Sequence, residues 1–518
     1  MGTKKSGALL ILTLLSWLAV SLWSWNLFAS SLPTIKGSLF APFLRMLQLP
    51  WMLFWLWGIH NFWHQTLSCF RRAHTQPHSP DGEASEVAIL YMTCDDFDQV
   101  ACDSCFDQNY SSARFFICDD SAGNKCKDQV DEWAKANEKA IVIRRPNRSG
   151  FKAGNLNNVI ASFVREEFIL ICDADEVLEC NFVRSLLPYF DRPDIGFVQA
   201  RHCVSSLAVT RFAELLGRVT DIFFNYNLPL RNRFGFVSCF GHGVMIRRSV
   251  WQEIGGFPEM TSEDLAFASR ALAAGYRGVY AEEVVAREAF PPSYTALLRK
   301  YRRVVEGTIE YFTREFPRLV RSPQATWTEK VDLFITYSSC FMGLVWMINL
   351  VGGLILIRAY AKVGYTRLEP WLMLLYLAGP FLPVAPLVIH IAKEPRKYVQ
   401  LFFAGAITYA SLLPSLALRA LVQLLGSRIP SFEPTGKIAR QRQRRVEPLL
   451  ISMTGAVVFS LAMVSHSSSY VPSAGIGLML ILGPLLCFAE VSNVFGIIVR
   501  NCGLIPYAVM VFLYFAWR

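Results

Sequence analysis

The chain has little charge for its length and little tryptophan in its middle. Charged residues make up 18% of the 518 residues and hydrophobic residues 53%, whereas soluble domains carry about 25% charged residues. This composition excludes a protein that is soluble throughout. Of the thirteen tryptophans, only Trp133 and Trp251 lie between residues 71 and 325. The sequence therefore predicts one water-compatible block between aromatic-rich membrane segments.

The charge of the chain argues against nucleic acid as a partner. The net charge is +10, but the Lys and Arg residues lie largely beside apolar segments, where they contact lipid headgroups and set orientation. Membrane lipid is therefore a predicted partner, and nucleic acid is not.

Cys102 and Cys105 form a lone C-x-x-C without a second pair or a nearby histidine. This pattern does not predict a cysteine zinc site.

Long apolar segments at both ends are predicted to cross a membrane, since about 20 apolar residues are enough. The predicted spans are residues 8–29, 39–63, 333–357, 371–392, 449–469, 471–499 and 502–517. Residues 8–29 are interpreted as an uncleaved anchor rather than a signal peptide. Residues 398–425 have basic residues on both sides, so we expect them to lie in the interface or re-enter, with a break at Pro414.

Basic residues near the first two spans predict the orientation. Lys4 and Lys5 precede the first span, and Arg71 and Arg72 follow the second. By the positive-inside rule, residues 71–325 are cytoplasmic, and we expect the plasma (inner) membrane as the location.

The predicted domains are 1–70 with two transmembrane helices, the 71–325 catalytic domain, 326–397 with two more helices, 398–447 with the interfacial or re-entrant helix and a basic loop, and 448–518 with the last helices.

The cytoplasmic block alternates short apolar runs with helical stretches. The apolar runs cover residues 86–92, 114–118, 140–143 and 168–172, and helices are predicted within 126–139 and 156–165. This alternation predicts a mostly parallel α/β sheet whose ligands bind at the carboxyl ends of the strands. Acids follow three of these runs, and Asp173 and Asp175 suit a divalent ion because hard cations take oxygen ligands.

Several motifs then occur in a fixed order along the chain. They are Thr93-Cys94-Asp95-Asp96, Asp119-Asp120-Ser121, Lys152-Ala153-Gly154-Asn155-Leu156-Asn157, Val198-Gln199-Ala200-Arg201-His202, the segment from Gly241-His242 to Arg248, Thr261-Ser262-Glu263-Asp264, and Lys300-Tyr301-Arg302-Arg303-Val304. These motifs resemble those of the membrane-embedded, processive family 2 glycosyltransferases, which include cellulose, chitin and hyaluronan synthases. The resemblance covers about residues 86–437.

The resemblance implies a GT-A-type α/β nucleotide-sugar transferase domain inserted between transmembrane helices, and it implies a role for each matching residue. Donor-binding residues would be Thr93, Asp95, Asp96, Asp119, Asp120, Lys152, Asp173 and Arg303. Acceptor residues would be His202, Gly241, His242 and Tyr301, and the catalytic residues would be the base Asp264 and Glu263. Asp173 and Asp175 would bind Mg²⁺ or Mn²⁺. A gating loop would include Phe432, Thr435 and Lys437, although the arginines after it also suit anionic lipid.

The sequence departs from the family in the Q-x-x-R-W element. Lys300 replaces the glutamine, and Val304 replaces the tryptophan on which the acceptor sugar stacks. Either another aromatic residue, such as Tyr301 or Phe290, takes the stacking role, or the acceptor is not the usual glucan-like chain end.

Glu490, in an apolar stretch, is interpreted either as facing a sugar path or as lying near the cytoplasmic end of its span.

The resemblance implies an inverting, metal-dependent glycosyltransferase that uses a UDP-sugar to extend a β-linked polysaccharide and move it across the membrane. Its partners would be the nucleotide sugar and a growing glycan or lipid acceptor, with accessory subunits or a homo-oligomer left open. The alternative is a non-processive enzyme that adds one sugar to a lipid or glycan. A more distant alternative is a non-catalytic nucleotide-sensing membrane protein or a transporter, which leaves Asp264 without a role.

Overall fold

The apolar ends of the chain form helices around a mixed α/β domain. The computed structural model describes residues 7–30, 46, 48–70, 85–204, 210–348, 350–352, 395–426, 446–465, 470–489 and 505–517. The span predicted at 371–392, the gating-loop residues Phe432, Thr435 and Lys437, and Glu490 lie outside these residues.

Four helices in the described part of the chain are long and apolar enough to cross a membrane. They are Ala8–Asn26, Trp327–Gly352, Gly405–Leu425 and Pro448–Ser465. These helices support a membrane protein. The helix Gln48–Phe70 covers most of the second predicted span but is not among the four. Its polar residues Asn61, His64 and Gln65 are buried against protein and lower its hydropathy.

The segment expected to lie in the interface forms one continuous helix, Pro395–Leu425. Pro414 does not break it, although a proline removes one backbone hydrogen bond from a helix interior. Tertiary packing supports the helix at this point, because Leu412, Leu416 and Ala420 are buried in a cluster with the helix Tyr294–Arg314. The interfacial or re-entrant placement of this helix stays a prediction.

The catalytic-domain prediction of an α/β fold is confirmed by one eight-stranded sheet. Its strands are β1 (Val87–Thr93), β2 (Ala113–Asp119), β3 (Ala140–Ile143), β4 (Phe168–Asp173), β5 (Val177–Leu178), β6 (Ile195–Val204), β7 (Val244–Arg247) and β8 (Arg277–Glu288). The strand order is β3-β2-β1-β4-β7-β6-β8-β5. The first four strands are parallel, whereas β7 pairs antiparallel with both β4 and β6. Because β6 also pairs parallel with β8, most strand pairings in the described sheet are parallel, as predicted, although the sheet is mixed.

Both faces of the sheet are covered, which explains why β1 is a continuous apolar run with every residue buried. The helices Gln99–Phe106 and Asn124–Ala136 pack on one face. The helices Phe151–Ser162 and Glu263–Ala273 pack on the other. The helix after Thr261 begins at Glu263 and is followed by Gly275, whose φ of +102° suits a chain reversal.

The remaining helices connect these layers or belong to the apolar ends. They are Ala8–Ser30, Phe182–Leu186, Arg211–Ile222, Arg231–Phe234, Arg248–Glu253, Phe316–Arg321, Trp327–Tyr337, Val446–Ser465, Val471–Ala489 and Ile505–Ala516, with 3-10 turns at Leu187–Phe190 and Ser338–Phe341 and a π-helical turn at Phe223–Asn227. Asp332 lies in a candidate span yet is buried, and it pairs with Arg231 of the α/β domain. This contact joins the apolar part of the chain to the sheet domain.

Candidate active site

Three strands end at the same edge of the sheet, and their last residues are polar. In the strand register, Thr93 pairs with Asp119 and Met92 pairs with Asp173. Because neighbouring parallel strands end together, the motifs that follow them are brought into one cleft. The prediction that acids line up at this edge is confirmed.

The carboxylates of the first motif organise the loops around them. Asp95, with φ of 61°, accepts hydrogen bonds from the backbone of Gly123 at 2.7 Å and Ala122 at 3.1 Å. Asp96 accepts from the Cys94 amide at 2.7 Å and the Thr93 hydroxyl at 3.1 Å. Burial raises the pKa of Asp96 to about 6. Both side chains line the start of the cleft where the donor is predicted to bind.

Asp119 and Asp120 are paired with two arginines that the sequence reasoning missed. Asp119 accepts from Nε of Arg144 at 2.6 Å, and Asp120 accepts from Nη2 of Arg145 at 2.6 Å. Arg145 also donates to the Ser149 carbonyl, just before the helix Phe151–Ser162. Asp120 therefore holds the turn that presents Lys152 through Arg145, whereas Asp119 holds Arg144. Their predicted contact with the nucleotide base stays a prediction.

Lys152 connects two sides of the cleft. Its ammonium donates to Oδ1 of Asp173 at 2.5 Å and to the Gly241 carbonyl at 3.0 Å. Burial opposes its charge, but the carboxylates of Asp173 and Glu263 outweigh that effect and raise the pKa of Lys152. In return, despite burial, the lysine lowers the pKa of Asp173. A fixed cation therefore lies at the end of β4.

The carboxylates after β4 fit a hard divalent cation. Partial desolvation in the cleft, together with the charges of Asp173 and Glu288, raises the pKa of Asp175 to about 7, although its side chain reaches the cleft opening. Oxygen donors that crowd together in this way are the ligands that Mg²⁺ and Mn²⁺ prefer. The metal-ligand role of Asp173 and Asp175 stays a prediction.

His202 and His242 stack on each other inside a group of carboxylates. Their ring centroids are 4.3 Å apart, and Nδ1 of His242 lies 3.2 Å from Glu176 while its Nε2 lies 3.4 Å from Glu288. Burial opposes protonation of His242, but Asp173 and these two glutamates raise its pKa to about 10. Burial lowers the pKa of His202. Sequence reasoning missed Glu176 and Glu288, because neither belongs to a recognised motif.

Asp264 lies in the first turn of its helix and faces Gly241. The φ of Gly241 is +77°, and a Cβ added at Gly241 would lie 3.2 Å from Cβ of Asp264. Only glycine therefore fits this close approach without strain. Oδ1 of Asp264 accepts from the Leu265 amide at 2.7 Å. Burial raises the pKa values of both Asp264 and Glu263. A raised carboxyl pKa suits a group that must accept a proton.

The helix Tyr294–Arg314 carries the divergent element. The charge of Arg303 acts on Asp173 and Glu263, which puts this arginine at the cleft. Tyr301 instead packs edge-on against Tyr409, with ring centroids 5.4 Å apart. Phe290 is buried beneath the ammonium of Lys300, at 5.7 Å from the ring centroid. Both aromatic candidates for sugar stacking are therefore engaged by protein, and Val304 is 46% exposed.

Comparisons with known proteins agree with this site. Residues 168–392 match the family model described as glycosyl transferase family group 2. Glucomannan 4-beta-mannosyltransferase 1 of Oryza sativa subsp. japonica is 24% identical over 304 residues, covering 55% of this chain and 56% of the relative. These similarities support a family 2 glycosyltransferase. Probable glucomannan 4-beta-mannosyltransferase 7 of the same plant is 25% identical over 352 residues, covering 64% of this chain and 58% of the relative. The chain thus spans less than two thirds of the relatives' length.

A solved structure supports the fold of the sheet domain. The mannosyltransferase PcManGT from Pyrobaculum calidifontis, in complex with GDP-Man and Mn²⁺, has a TM-score of 0.50 at 15% identity. The match covers 74% of this chain and 99% of that one. The predicted GT-A-type fold is confirmed. The matched family segment begins at Phe168, where β4 begins, and includes Asp173, Asp264 and Arg303.

Proposed function

We propose that the protein is an inverting glycosyltransferase that transfers a sugar from a nucleotide donor to the end of a β-linked polysaccharide and moves the product across its own membrane. The observation that carries the proposal is the bridge made by Lys152. It contacts Asp173, on the predicted donor side, and the carbonyl of Gly241, on whose other side Asp264 lies. This contact supports a site in which the proposed base and the proposed leaving group lie close to each other.

The reaction is a single displacement at the anomeric carbon. The acceptor hydroxyl oxygen forms the new glycosidic bond, while the bond from the anomeric carbon to the diphosphate breaks and its electron pair leaves with the diphosphate. Asp264 accepts the hydroxyl proton. Lys152 and Arg303 neutralise the diphosphate, the latter as a forked donor. A Mg²⁺ or Mn²⁺ ion held by Asp173 and Asp175 would supply further charge neutralisation.

The donor has two candidate classes. The family resemblance implies a UDP-sugar. The two relatives are named as mannosyltransferases, and the solved structure contains GDP-Man, which makes GDP-mannose the second candidate. Membranes that contain the protein should release UDP from one UDP-sugar in a panel, or GDP from GDP-mannose, and EDTA should stop the release. No nucleotide release from any donor in the panel would contradict an enzymatic function and favour the nucleotide-sensing alternative.

Single addition is the second candidate function, because the stacking tryptophan of the family is replaced by exposed Val304. Product length separates the two. A processive enzyme yields long chains while most of the donor is still unused, whereas single addition yields one sugar per acceptor. Digestion of the product by linkage-specific glycosidases identifies the sugar and its linkage.

The proposed orientation places residues 71–325 in the cytoplasm of a cell whose plasma membrane contains the protein. It rests on the basic residues flanking the first two predicted spans. A reporter that folds only in the cytoplasm, fused within residues 71–85, should be active. An active reporter of the opposite compartment at the same position would overturn the orientation.

A further inference from the structure

A second group of metal-binding side chains lies away from the cleft, where the apolar helices meet the sheet domain. His60 and His64 are four residues apart on the helix Gln48–Phe70, so they point from the same face. Asp332 comes from the helix Trp327–Tyr337. Each of the three is 1% exposed, and one ligand atom from each lies within 4.8 Å of the others. We call them the His60 cluster.

The hydrogen bond of His64 decides which of its nitrogens is free. Its Nδ1 lies 3.0 Å from the backbone carbonyl of His60, which can only accept, so Nδ1 carries the proton. Nε2 of the neutral ring then has a lone pair, and it has no hydrogen-bond partner among the described residues. It lies 3.8 Å from Oδ1 of Asp332. A buried polar atom without a partner costs about 1–3 kcal/mol.

The hydrogen bonds of His60 lead to the same arrangement. The hydroxyl of Thr13 donates to the Leu9 carbonyl at 2.9 Å and lies 3.5 Å from Nδ1 of His60. Nε2 of His60 lies 2.7 Å from Oδ1 of Asp332, where either a proton or a metal ion can join the two atoms. A proton would satisfy only this pair, whereas a metal ion would also satisfy Nε2 of His64.

The second oxygen of Asp332 is already held by the sheet domain. Oδ2 accepts from Nη1 of Arg231 at 2.5 Å and from the amide of Phe236 at 2.7 Å. The carboxylate is thus oriented with Oδ1 toward the two histidines, as outer hydrogen bonds orient ligands in known metal sites. Two imidazole nitrogens and one carboxylate oxygen suit a borderline cation such as Zn²⁺.

We propose that His60, His64 and Asp332 bind one Zn²⁺ ion that fastens the helix Gln48–Phe70 to the helix Trp327–Tyr337 and, through Arg231, to the catalytic domain. The two histidines would coordinate through Nε2 and the aspartate through Oδ1, with water as the fourth ligand of a tetrahedral site. The site is separate from Asp173 and Asp175, and it does not depend on the proposed transferase activity.

Metal content tests the proposal. The full chain is purified in detergent through a tag without histidine, without chelator, and zinc per chain is measured by mass spectrometry. About one zinc per chain is expected in the unmodified protein, in Asp175→Asn, which alters the cleft, and in Thr66→Val, a matched change on the same helix. His64→Gln should lose it. Absence of zinc from the unmodified protein, or retention by both His60→Gln and His64→Gln, would overturn the proposal.

A second measurement covers the case in which a histidine variant folds poorly. The unmodified protein, stripped of metal and loaded with Co²⁺, should show the intense visible absorption of a tetrahedral nitrogen and oxygen site, and Zn²⁺ should displace it at one equivalent. Zn²⁺ should also raise the melting midpoint of the stripped protein, because a ligand that binds only the folded state stabilises it. A weak octahedral spectrum with no rise in melting midpoint would contradict the site.

Discussion

Two ion pairs of this protein have the same length and opposite surroundings. Lys152 to Asp173 and Arg231 to Asp332 both measure 2.5 Å. The side chains of the first pair are 18% and 33% exposed, and those of the second 1% and 2%. The first pair is partly exposed at the proposed active site, whereas the second is fully buried between helices. Similar chemistry would therefore serve catalysis in one place and attachment between segments in the other.

The largest effect is expected at the base beside the cleft pair. Asp264→Asn removes the proposed proton acceptor and should lower nucleotide release by about 100- to 10,000-fold, the usual contribution of a positioned acid or base. Nucleotide binding, measured by calorimetry, should survive because the donor side is unchanged. Asp128→Asn, on an exposed helix surface, is the matched control. Normal turnover by Asp264→Asn would show that another group accepts the proton.

Breaking the buried pair should affect stability rather than chemistry. Arg231→Met leaves the Asp332 carboxylate buried with one cation fewer, a change that costs about 3–5 kcal/mol in buried pairs. The melting midpoint should fall sharply when measured in EDTA, so that no bound cation compensates for the lost guanidinium. Arg233→Met, an exposed arginine on the same helical turn, is the control and should melt normally. Equal melting of the two variants would contradict the structural role.

Breaking the cleft pair should give the opposite result. Lys152→Met should lower the rate of nucleotide release by about 100- to 1,000-fold, as loss of one preorganised charge at a reacting group does. The melting midpoint should change little, because partly exposed pairs contribute about 0–1 kcal/mol. Lys125→Ala, an exposed lysine, serves as the control. A large loss of stability with full activity would reverse the comparison between the two pairs.

The smallest effect is expected at the divergent position. Val304→Trp restores the stacking plane of the family on an exposed site of the helix Tyr294–Arg314. Stacking of a sugar on an aromatic ring contributes about 1 kcal/mol. The KM for a glycan acceptor should therefore fall several-fold, while kcat changes less. Val304→Leu is the control for added volume. An unchanged KM would show that Val304 does not face the acceptor.

Much of the candidate site could be predicted because its residues belong to local patterns. Asp173 follows a buried strand, Lys152 is in the first turn of a helix, and Asp264 opens another helix. Each of these positions follows from a short stretch of sequence. Glu288 could not be predicted in the same way, because β8 reaches the cleft through its pairing with the distant strands β5 and β6. Arg144 was missed because its partner Asp119 lies on a different strand.

The sequence by itself determined which segments are apolar and where strands end in acids. It also determined that the sheet domain lies between helical ends. These properties depend on composition and on short-range periodicity. Only the tertiary structure decided that Tyr301 packs on Tyr409 and that His60, His64 and Asp332 meet. It also decided that Lys152 joins Asp173 to the turn beside Asp264. Such contacts join residues far apart in the chain, and the packing of whole helices and strands, rather than any local preference, brings them together.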